Sequence, residues 1–301
     1  MNRDYTVIVS SLLLFVSVGV EPRVAAAAER PTANPPAVEG QIEFSTLITA
    51  RNVTRHLATE SGARDLARRL RAIGIRRVWI EVVRGGHLVK SATLRLARDL
   101  FREEGLIASG AVTTTWGPGF GVKSTGRHFL CYSAPETHQA LAKSAGVAAR
   151  VFDEIMVDDF LATQCRCDRC TREKGERTWA EYRCELRSRV ARQFIVEPIH
   201  EANSDAVVII KFPQWYDRFH YYGYDVIRDT DSFDAIWVGT ETRGPDTPRF
   251  GYVPTYQSTI VYRWLRSIAG AKTRGGWFDV YDCTPDEYVD QAYSTVLAGA
   301  T

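Results

Sequence analysis

The sequence Phe152-Asp-Glu-Ile-Met-Val-Asp-Asp-Phe-Leu-Ala-Thr-Gln-Cys-Arg-Cys-Asp-Arg-Cys170 carries the strongest indication of the fold. Its apolar run, Ile155 to Val157, is typical of a short strand buried on both faces of a parallel sheet. Asp158 and Asp159 follow directly, and three cysteines come soon after them. Carboxylates at the carboxyl end of a parallel strand, followed by a long loop, indicate a (β/α) barrel, because barrels place their functional residues there.

Strand-like apolar runs alternate with helical patterns on both sides of this stretch. Seven βα units can be counted, with predicted strands at 42–49, 77–83, 106–114, 155–157, 207–211, 235–239 and 276–280. This alternation predicts a parallel sheet, and the longest loops follow the third, fourth and sixth strands. We therefore predict an α/β fold of the (β/α)8 TIM-barrel type. The chain ends before an eighth strand, which indicates a truncated or incomplete barrel.

Composition and charge are those of a globular protein. Of 301 residues, 45% are hydrophobic and 25% are charged, so the chain can bury a full core. The net charge of +2, with acids and bases interspersed, shows no basic stripe and argues against a nucleic-acid partner. No nucleotide- or phosphate-binding motif is present, so no organic cofactor is expected. The oligomeric state is not predicted.

The first forty residues differ from the rest. Arg3, an apolar run from Val7 to Val20 and four alanines ending at Ala28 match the three regions of a secretory signal peptide. We predict a signal peptide over 1–28, a proline-rich linker over 29–40 and the barrel domain over 41–301. Export to the periplasm or the exterior follows, with no stable membrane insertion after cleavage. The apolar run is shorter than the ~20 residues of a membrane span, so an uncleaved anchor is the alternative.

Several carboxylates lie at predicted strand ends, as hydrolysis of a glycosidic bond requires. That reaction needs one carboxyl group to protonate the leaving oxygen and another to act as nucleophile or base. Neighbouring residues on a strand point in opposite directions, so we place Asp159 in the site with Asp158 as its support. Glu241 is the expected acid. The catalytic candidates are Asp158, Asp159, Glu241 and Asp279.

Other residues at the same strand ends are candidates for binding a sugar. Lys211 ends an apolar strand, where it could hold a hydroxyl or lower the pKa of a nearby carboxyl group. Flat aromatic rings suit the C–H face of a sugar, although packing in the core is the alternative for each. The substrate-binding candidates are Glu81, Trp116, Lys211, Trp215, Tyr216, Arg243 and Trp277.

Cys165, Cys167 and Cys170 are too closely spaced for three separate structural roles. With one more thiolate they make a tetrahedral zinc site, and Cys131 is the expected fourth ligand because the strands before these two loops are neighbours. Cys184 is the alternative fourth ligand. An exported protein also favours disulfides, and a redox role is a further alternative. With zinc or disulfides, the cysteines would fix the loop after the carboxylates without taking part in catalysis.

The strand, acids and cysteines together resemble zinc-containing bacterial β-galactosidases. Their Cys-x-Cys-x-x-Cys run follows the fourth strand and an upstream cysteine completes a zinc site, which implies the same four cysteines here. This sequence departs from that pattern because Asp158-Asp159 replaces an Asn-Glu pair. Barrel α-galactosidases are similar in another respect. They place an aspartate nucleophile after strand four and an acid after strand six, which implies Asp158 or Asp159 and Glu241.

Three further stretches, Lys211 to Tyr216, Gly239 to Arg243 and Gly275 to Asp279, resemble an uncharacterised family of exported hydrolase-like barrels. That resemblance covers nearly all of the predicted barrel domain. The sequence therefore predicts a glycoside hydrolase acting on a carbohydrate. The alternatives are a carbohydrate-binding barrel without catalysis and a scaffold stabilised by zinc or disulfides.

Overall fold

The computed structural model describes residues 42–126, 128–244, 246–247 and 251–300. The predicted signal peptide (1–28) and linker (29–40) lie outside the described residues.

Seven parallel strands form the main sheet in the described part of the chain, in the order β1-β2-β4-β5-β6-β7-β10. The short β3 pairs antiparallel with β2, and β8 pairs with β9 in a separate small sheet. The ten strands are β1 (Phe44–Ile48), β2 (Ile75–Arg84), β3 (His87–Leu88), β4 (Ile107–Val112), β5 (Glu154–Val157), β6 (Val207–Phe212), β7 (Ala235–Gly239), β8 (Asp246–Thr247), β9 (Gly251–Tyr252) and β10 (Thr273–Trp277).

The helices lie between the strands, as in repeated βα units. A π-helical turn, Arg192–Val196, joins two of them. The eleven α-helices of the described residues are α1 (Ala50–His56), α2 (Glu60–Ala72), α3 (Ser91–Glu103), α4 (Pro135–Ala149), α5 (Asp168–Lys174), α6 (Trp179–Ala191), α7 (Glu197–Ala202), α8 (Phe219–Tyr222), α9 (Val226–Ser232), α10 (Gln257–Ala269) and α11 (Pro285–Leu297).

This architecture is an incomplete TIM barrel, in which the curled sheet forms a half-barrel. Each predicted strand corresponds to one strand of the main sheet, and β3 was not predicted. The sheet stays open because β1 and β10 are its two edges within the described chain. The prediction of a (β/α)8-type fold without an eighth strand is thereby confirmed.

Two apolar cores lie on the two faces of this sheet. The larger core lies between the sheet and the helices, and includes Ile80, Ile155 and Ile210. Residues alternate between the faces of a strand, so their neighbours point to the inner face. There a second core forms from Trp79, Ala111, Met156, Ile209, Ala235 and Trp237. Alternation thus determines which residue of each strand faces the barrel interior.

Two helices begin with a capping box. Thr178 and Thr284 each form a capping box, with Glu181 and Glu287 respectively, at the start of α6 and α11. Ser133-Ala-Pro-Glu136 also has the sequence pattern of a capping box, but α4 starts after Ala134 without a side-chain cap. The Ser133 hydroxyl instead contacts the sulfurs of two cysteines.

The seventh strand was predicted three residues too late. It spans Thr273–Trp277 instead of 276–280, since Gly275 and Gly276 pair with Trp237 and Val238 of β7. Asp279 therefore lies beyond the strand end, in a loop.

None of the described helices has both the length and the apolar character needed to cross a membrane.

Candidate active site

The candidate site is the layer of side chains directly above the inner core. Glu81, Asp158 and Lys211 each lie two positions after an inner-core residue, namely Trp79, Met156 and Ile209. Because side chains on a strand repeat every two residues, all three project toward the barrel interior. The inner apolar core therefore supports a layer of charged groups at the carboxyl ends of the strands, where barrel enzymes carry their active sites.

Lys211 is the centre of this layer. Its Nζ lies 2.8 Å from Oδ2 of Asp159, 2.8 Å from Oε1 of Glu241 and 3.6 Å from Oδ1 of Asp158. We call these four residues the strand-end cluster. Burial disfavours the ammonium, but the three carboxylates outweigh that effect and raise the pKa of Lys211. The lysine therefore remains protonated and links the ends of β5, β6 and β7.

Asp158 has the most hydrogen bonds of the three acids. Its Oδ2 accepts from Arg84 at 3.0 Å and lies 3.1 Å from the Thr113 hydroxyl, and its Oδ1 accepts from the Asp159 amide at 2.9 Å. Burial opposes ionisation of Asp158, but Lys211 and Arg84 overcome this and hold its pKa below the usual range. Both oxygens are therefore engaged by protein groups, and the carboxylate is a fixed anion.

Asp159 is held more loosely, because β5 has already ended at Val157. Its Oδ2 accepts from Lys211, while its Oδ1 has no hydrogen bond within the described residues. The side chain is 15% exposed, compared with 3% for that of Glu241. Burial and the charge of Asp158 raise the pKa of Asp159, and Lys211 opposes the rise. The strand end thus allows both aspartates to face Lys211, which simple alternation did not predict.

Glu241 is a carboxyl group whose surroundings favour the protonated form. Burial, opposed by Lys211 and reinforced by Asp159 and Asp279, raises its pKa to about 7. Its Oε2 is buried and has no hydrogen-bond partner among the described residues. A carboxyl group with a pKa near neutral pH can carry a proton there and also release it, as an acid–base group requires.

Gly239, two residues earlier, leaves the space that Glu241 occupies. A Cβ on Gly239 would lie 2.5 Å from Oε2 of Glu241 and 2.8 Å from both the Gln214 nitrogen and the Phe212 oxygen. Such distances are shorter than real Cβ contacts, so only glycine fits at the end of β7. The absent side chain lets the carboxylate fold back against the end of β6.

Glu81 is fully buried in the same layer and forms the second part of the site's support. Its carboxylate accepts from the Ala50 amide at 2.6 Å, from Arg84 at 2.7 Å and from the Thr113 hydroxyl. The structure therefore places Glu81 behind Arg84, which it holds against Asp158, and away from any open surface.

Asp279 forms a bidentate ion pair with Arg243, with N···O distances of 3.0 and 2.8 Å. Bidentate pairs between a guanidinium and a carboxylate are geometrically specific. Arg243 has a left-handed backbone, with φ of 56°, which turns the chain after Glu241 toward the loop beyond β10. The pair thus ties together the loops that follow β7 and β10.

The predicted aromatic candidates divide into two groups. The ring of Trp277 lies beside the strand-end cluster, with its centroid 4.8 Å from Nζ of Lys211. Trp215 is packed among Tyr222, Tyr224 and Phe219. Tyr216 contacts Trp264, and Trp116 lies under Lys123. Trp277 is therefore the aromatic candidate that contacts a residue of the cluster.

Three supporting residues were missed by the sequence interpretation. Arg84 and Thr113 hold Asp158, and the Tyr224 hydroxyl donates to the Asp159 carbonyl at 2.6 Å. Arg84 and Thr113 each stand at the end of an apolar strand, as Lys211 does, so that signal was available in the sequence. Tyr224 lies in a distant loop, and only the tertiary structure brings it to Asp159.

The four predicted cysteines meet in space. Each of Cys131, Cys165, Cys167 and Cys170 offers a sulfur, and all four sulfurs lie within 4.8 Å of one another. We call them the cysteine cluster. Two measured S···S separations, from Cys131 to Cys167 and to Cys170, are 3.8 and 3.7 Å. The cluster joins the loop after β4 to the loop after β5 and so braces the strand that carries Asp158.

The S···S distances can be compared with the two bonding schemes open to thiols. A disulfide has an S–S distance of about 2.05 Å. Four thiolates around a zinc ion, each about 2.3 Å from the metal, have tetrahedral edges of about 3.8 Å. The S···S separations of 3.8 and 3.7 Å match the edges of the zinc–thiolate tetrahedron and are too long for a disulfide bond. Cys184 lies outside the cluster, since its thiol contacts the Tyr224 carbonyl at 3.5 Å.

Comparison with known proteins identifies a family. A family model described as "Probable glycosyl hydrolase, catalytic domain" matches residues 33–301. An uncharacterized protein from Saccharolobus solfataricus is 24% identical over 261 residues, which cover 79% of this chain and 43% of that protein. The chain thus spans less than half the length of this relative.

Solved structures of glycosidases share the fold. A GH5_18 variant from Streptomyces cattleya, in complex with Manβ1-4GlcNAc, has a TM-score of 0.54 and 11% identity, over 85% of this chain and 66% of that one. A β-glucosidase has a TM-score of 0.52 and 10% identity, over 79% and 73% of the two chains. A β-glycosidase has a TM-score of 0.50 and 12% identity, over 79% and 72%. These similarities establish a common TIM-barrel-like fold.

Proposed function

We propose, on the premise that this chain belongs to the family of probable glycosyl hydrolase catalytic domains, that it hydrolyses a glycosidic bond with Glu241 and Asp159 as its two carboxyl groups. One observation carries the assignment: the ammonium of Lys211 lies 2.8 Å from a carboxyl oxygen of Asp159 and 2.8 Å from one of Glu241. Two acids at strand ends that face one shared point are the arrangement that glycoside hydrolysis requires.

Burial assigns the two roles. Glu241 is the more deeply buried acid, and its pKa of about 7 keeps a proton available near neutral pH. In the proposed reaction it donates this proton to the leaving glycosidic oxygen. Asp159 is more exposed and is paired with the Lys211 ammonium, and in the proposed reaction its Oδ1, which has no hydrogen bond within the described residues, attacks the anomeric carbon or activates water. Asp158, held by Arg84 and Thr113, positions Lys211 and the Asp159 amide.

The proposed substrate is a carbohydrate whose ring lies near Trp277. That indole contacts the Lys211 ammonium, so a sugar packed beside the ring would lie next to the strand-end cluster. The GH5_18 neighbour was solved with Manβ1-4GlcNAc, which makes this disaccharide a reasonable first probe. We include it in a panel with the 4-nitrophenyl α- and β-glycosides of glucose, mannose and galactose.

The test is substitution of both acids. Asp159→Asn and Glu241→Gln are each expected to lower turnover of the cleaved glycoside by about 10²- to 10⁴-fold, as is typical of acid–base groups. Glu201→Gln, on the exposed surface of α7, is the matched control and should retain wild-type turnover. If both site variants retain wild-type turnover, the assignment is wrong. Sugar binding without cleavage by the wild-type chain would favour the non-catalytic alternative.

For the cysteine cluster we propose a structural Zn²⁺ site. Support comes from four sulfurs from two loops, buried or half-buried, at separations that suit tetrahedral thiolate ligation. Such a site would fix the loops after β4 and β5 relative to each other. It would have no open coordination position, so its contribution would be to stability and to the placing of Asp158 and Asp159.

We also propose that the chain is exported through its N-terminal signal peptide. The charged, apolar and alanine-rich regions of residues 1–28 support this. N-terminal sequencing of the protein recovered from outside the cytoplasm is the test. Export predicts a mature N-terminus close to Ala28, whereas an intact N-terminus at Met1 contradicts it.

A further inference from the structure

Gln214 carries a buried polar group that the protein does not satisfy. It lies two residues after the end of β6, on the loop that follows Lys211, and is 8% exposed. Its Oε1 is buried and has no hydrogen-bond partner in the described chain. An amide group taken out of water without a partner is unfavourable, so such groups nearly always have one.

The backbone of Gln214 is held firmly while its side chain is not. Its carbonyl accepts from the Tyr216 amide at 3.0 Å and from the side-chain amide of Gln257 on α10 at 3.3 Å. The position of the residue is therefore fixed from two directions.

Gln214 also lies beside the proposed acid. A Cβ atom built on Gly239 would lie 2.5 Å from Oε2 of Glu241 and 2.8 Å from the backbone nitrogen of Gln214. Oε2 of Glu241 is the other buried oxygen of this region without a partner. Gln214 and Glu241 thus follow the ends of the adjacent strands β6 and β7, and each carries a buried side-chain oxygen without a hydrogen-bond partner in the described chain.

We infer that Gln214 is a substrate-binding residue that hydrogen-bonds one hydroxyl of the sugar whose glycosidic oxygen meets Glu241. A hydroxyl both donates and accepts, so it can bond with either end of the glutamine amide. A carboxylate or a phosphate could only accept, and would be repelled by Asp158, Asp159 and Glu241. A neutral polyol is therefore the ligand class that this part of the site fits. The inference rests on the proposed function and adds a specificity residue to it.

The experiment measures sugar binding separately from turnover. The full chain and its Gln214→Met and Gln214→Leu variants are titrated calorimetrically with the methyl α- and β-glycosides of glucose, mannose and galactose. The sugar that binds is then compared with its monodeoxy analogues. Gln139→Leu, on the exposed side of α4, is the matched control, and thermal melting checks the folding of each variant.

Both glutamine variants are expected to weaken binding by about 10-fold, because the hydroxyl loses its partner. One monodeoxy analogue should weaken binding to the wild-type chain by a similar factor, with no further loss on Gln214→Met. That non-additivity identifies the hydroxyl that Gln214 contacts. Gln139→Leu should bind as the wild type does.

Three results would overturn the inference. These are wild-type affinity in both folded Gln214 variants, additive losses for every deoxy analogue, and absence of binding by any of the methyl glycosides. If both Gln214 variants bind with wild-type affinity while turnover still depends on Glu241, the inference fails but the proposed function stands. Conversely, Gln214-dependent binding without any cleavage would remove the hydrolase assignment and retain the binding residue.

Discussion

The Nζ of Lys211 lies 2.8 Å from Oε1 of Glu241, and both groups are 97% buried in the barrel interior. A buried ion pair of this kind usually gains little stability, because desolvation offsets the attraction. Here the lysine also contacts two aspartates, so it cannot fully neutralise Glu241. Burial, together with the charges of Asp159 and Asp279, therefore raises the pKa of Glu241 despite the nearby ammonium.

The first prediction concerns pH. Glu241 must be protonated to act as an acid, and its pKa is raised to about 7. The protonated fraction falls as the pH rises through that value, so kcat/KM should decrease on the alkaline side of about pH 7. A pH–rate profile of the wild-type chain measures this. The same limb should be absent from the residual activity of Glu241→Gln; a profile that stays flat to pH 9 in the wild type would contradict the role.

The second prediction is that cleavage retains the anomeric configuration. Asp159 Oδ2 and Glu241 Oε1 are each 2.8 Å from the same nitrogen, so these oxygens can be separated by no more than twice that distance. Carboxyl groups of retaining enzymes are about 5–5.5 Å apart, and those of inverting enzymes about 6.5–9.5 Å. Proton NMR of the first-formed sugar gives the anomer directly. An inverted anomer, appearing faster than mutarotation in an enzyme-free control, would refute the spacing argument.

The third prediction tests the space at the end of β7. Gly239→Ala places a methyl group 2.5 Å from the Glu241 carboxylate and 2.8 Å from two backbone atoms, so the acid or the backbone must move. We expect kcat to fall by at least about 10-fold and stability to decrease by about 1–3 kcal/mol. Steady-state kinetics and denaturant unfolding measure the two effects.

Gly146→Ala on α4 is the matched control for this glycine. The added methyl group would approach only the flexible end of Arg150, at 3.3 Å, and a helix gains about 0.5–1 kcal/mol from such a change. Its activity should equal that of the wild type. Equal activity of Gly239→Ala would show that the Glu241 carboxylate does not depend on the missing side chain.

The fourth prediction separates zinc from the alternatives. Cys167→Ser should lose bound zinc, measured by mass spectrometry of the metal, and should melt at a lower temperature than the wild type. Cys184→Ser removes a thiol outside the cysteine cluster and should retain one zinc per chain. Loss of metal from both variants, or from neither, would contradict a site made of the four clustered cysteines. A protein mass that is lower than that of the fully reduced chain by two hydrogen atoms for each cysteine pair would instead indicate disulfides.

The fold was largely predictable from the sequence because its strands are buried on both faces and therefore stand out as apolar runs. The end of β5 was harder. Alternation predicts that only one of Asp158 and Asp159 faces inward, but the strand stops at Val157 and the backbone turn brings both to Lys211. Strand ends depend on tertiary contacts, which a run of residue types does not encode.

Long-range support was not predictable for a similar reason. Arg84 and Asp158 are 74 residues apart, and Tyr224 and Asp159 are 65 residues apart. The position of Arg84 at a strand end marks it as a candidate but does not identify Asp158 as its partner, and nothing local marks Tyr224, since a tyrosine on a loop is common. The cysteine cluster is the exception, because four thiols in two neighbouring loops carry a chemical signal that the spacing alone reveals.

The fifth prediction concerns a buried ion pair behind the site. Arg187 of α6 and Asp229 of α9 are both fully buried, and Arg187 also lies 4.2 Å from the ring of Tyr224, which holds Asp159. Arg187→Met leaves the aspartate buried without its partner, so unfolding free energy should fall by about 3–5 kcal/mol. Arg192→Met, which removes an exposed ion pair with Glu197, should lower the free energy of unfolding by less than about 1 kcal/mol. Denaturant titration compares the two, and an equal effect of both substitutions would show that the buried pair has no special weight in holding Tyr224 and the loop after β5.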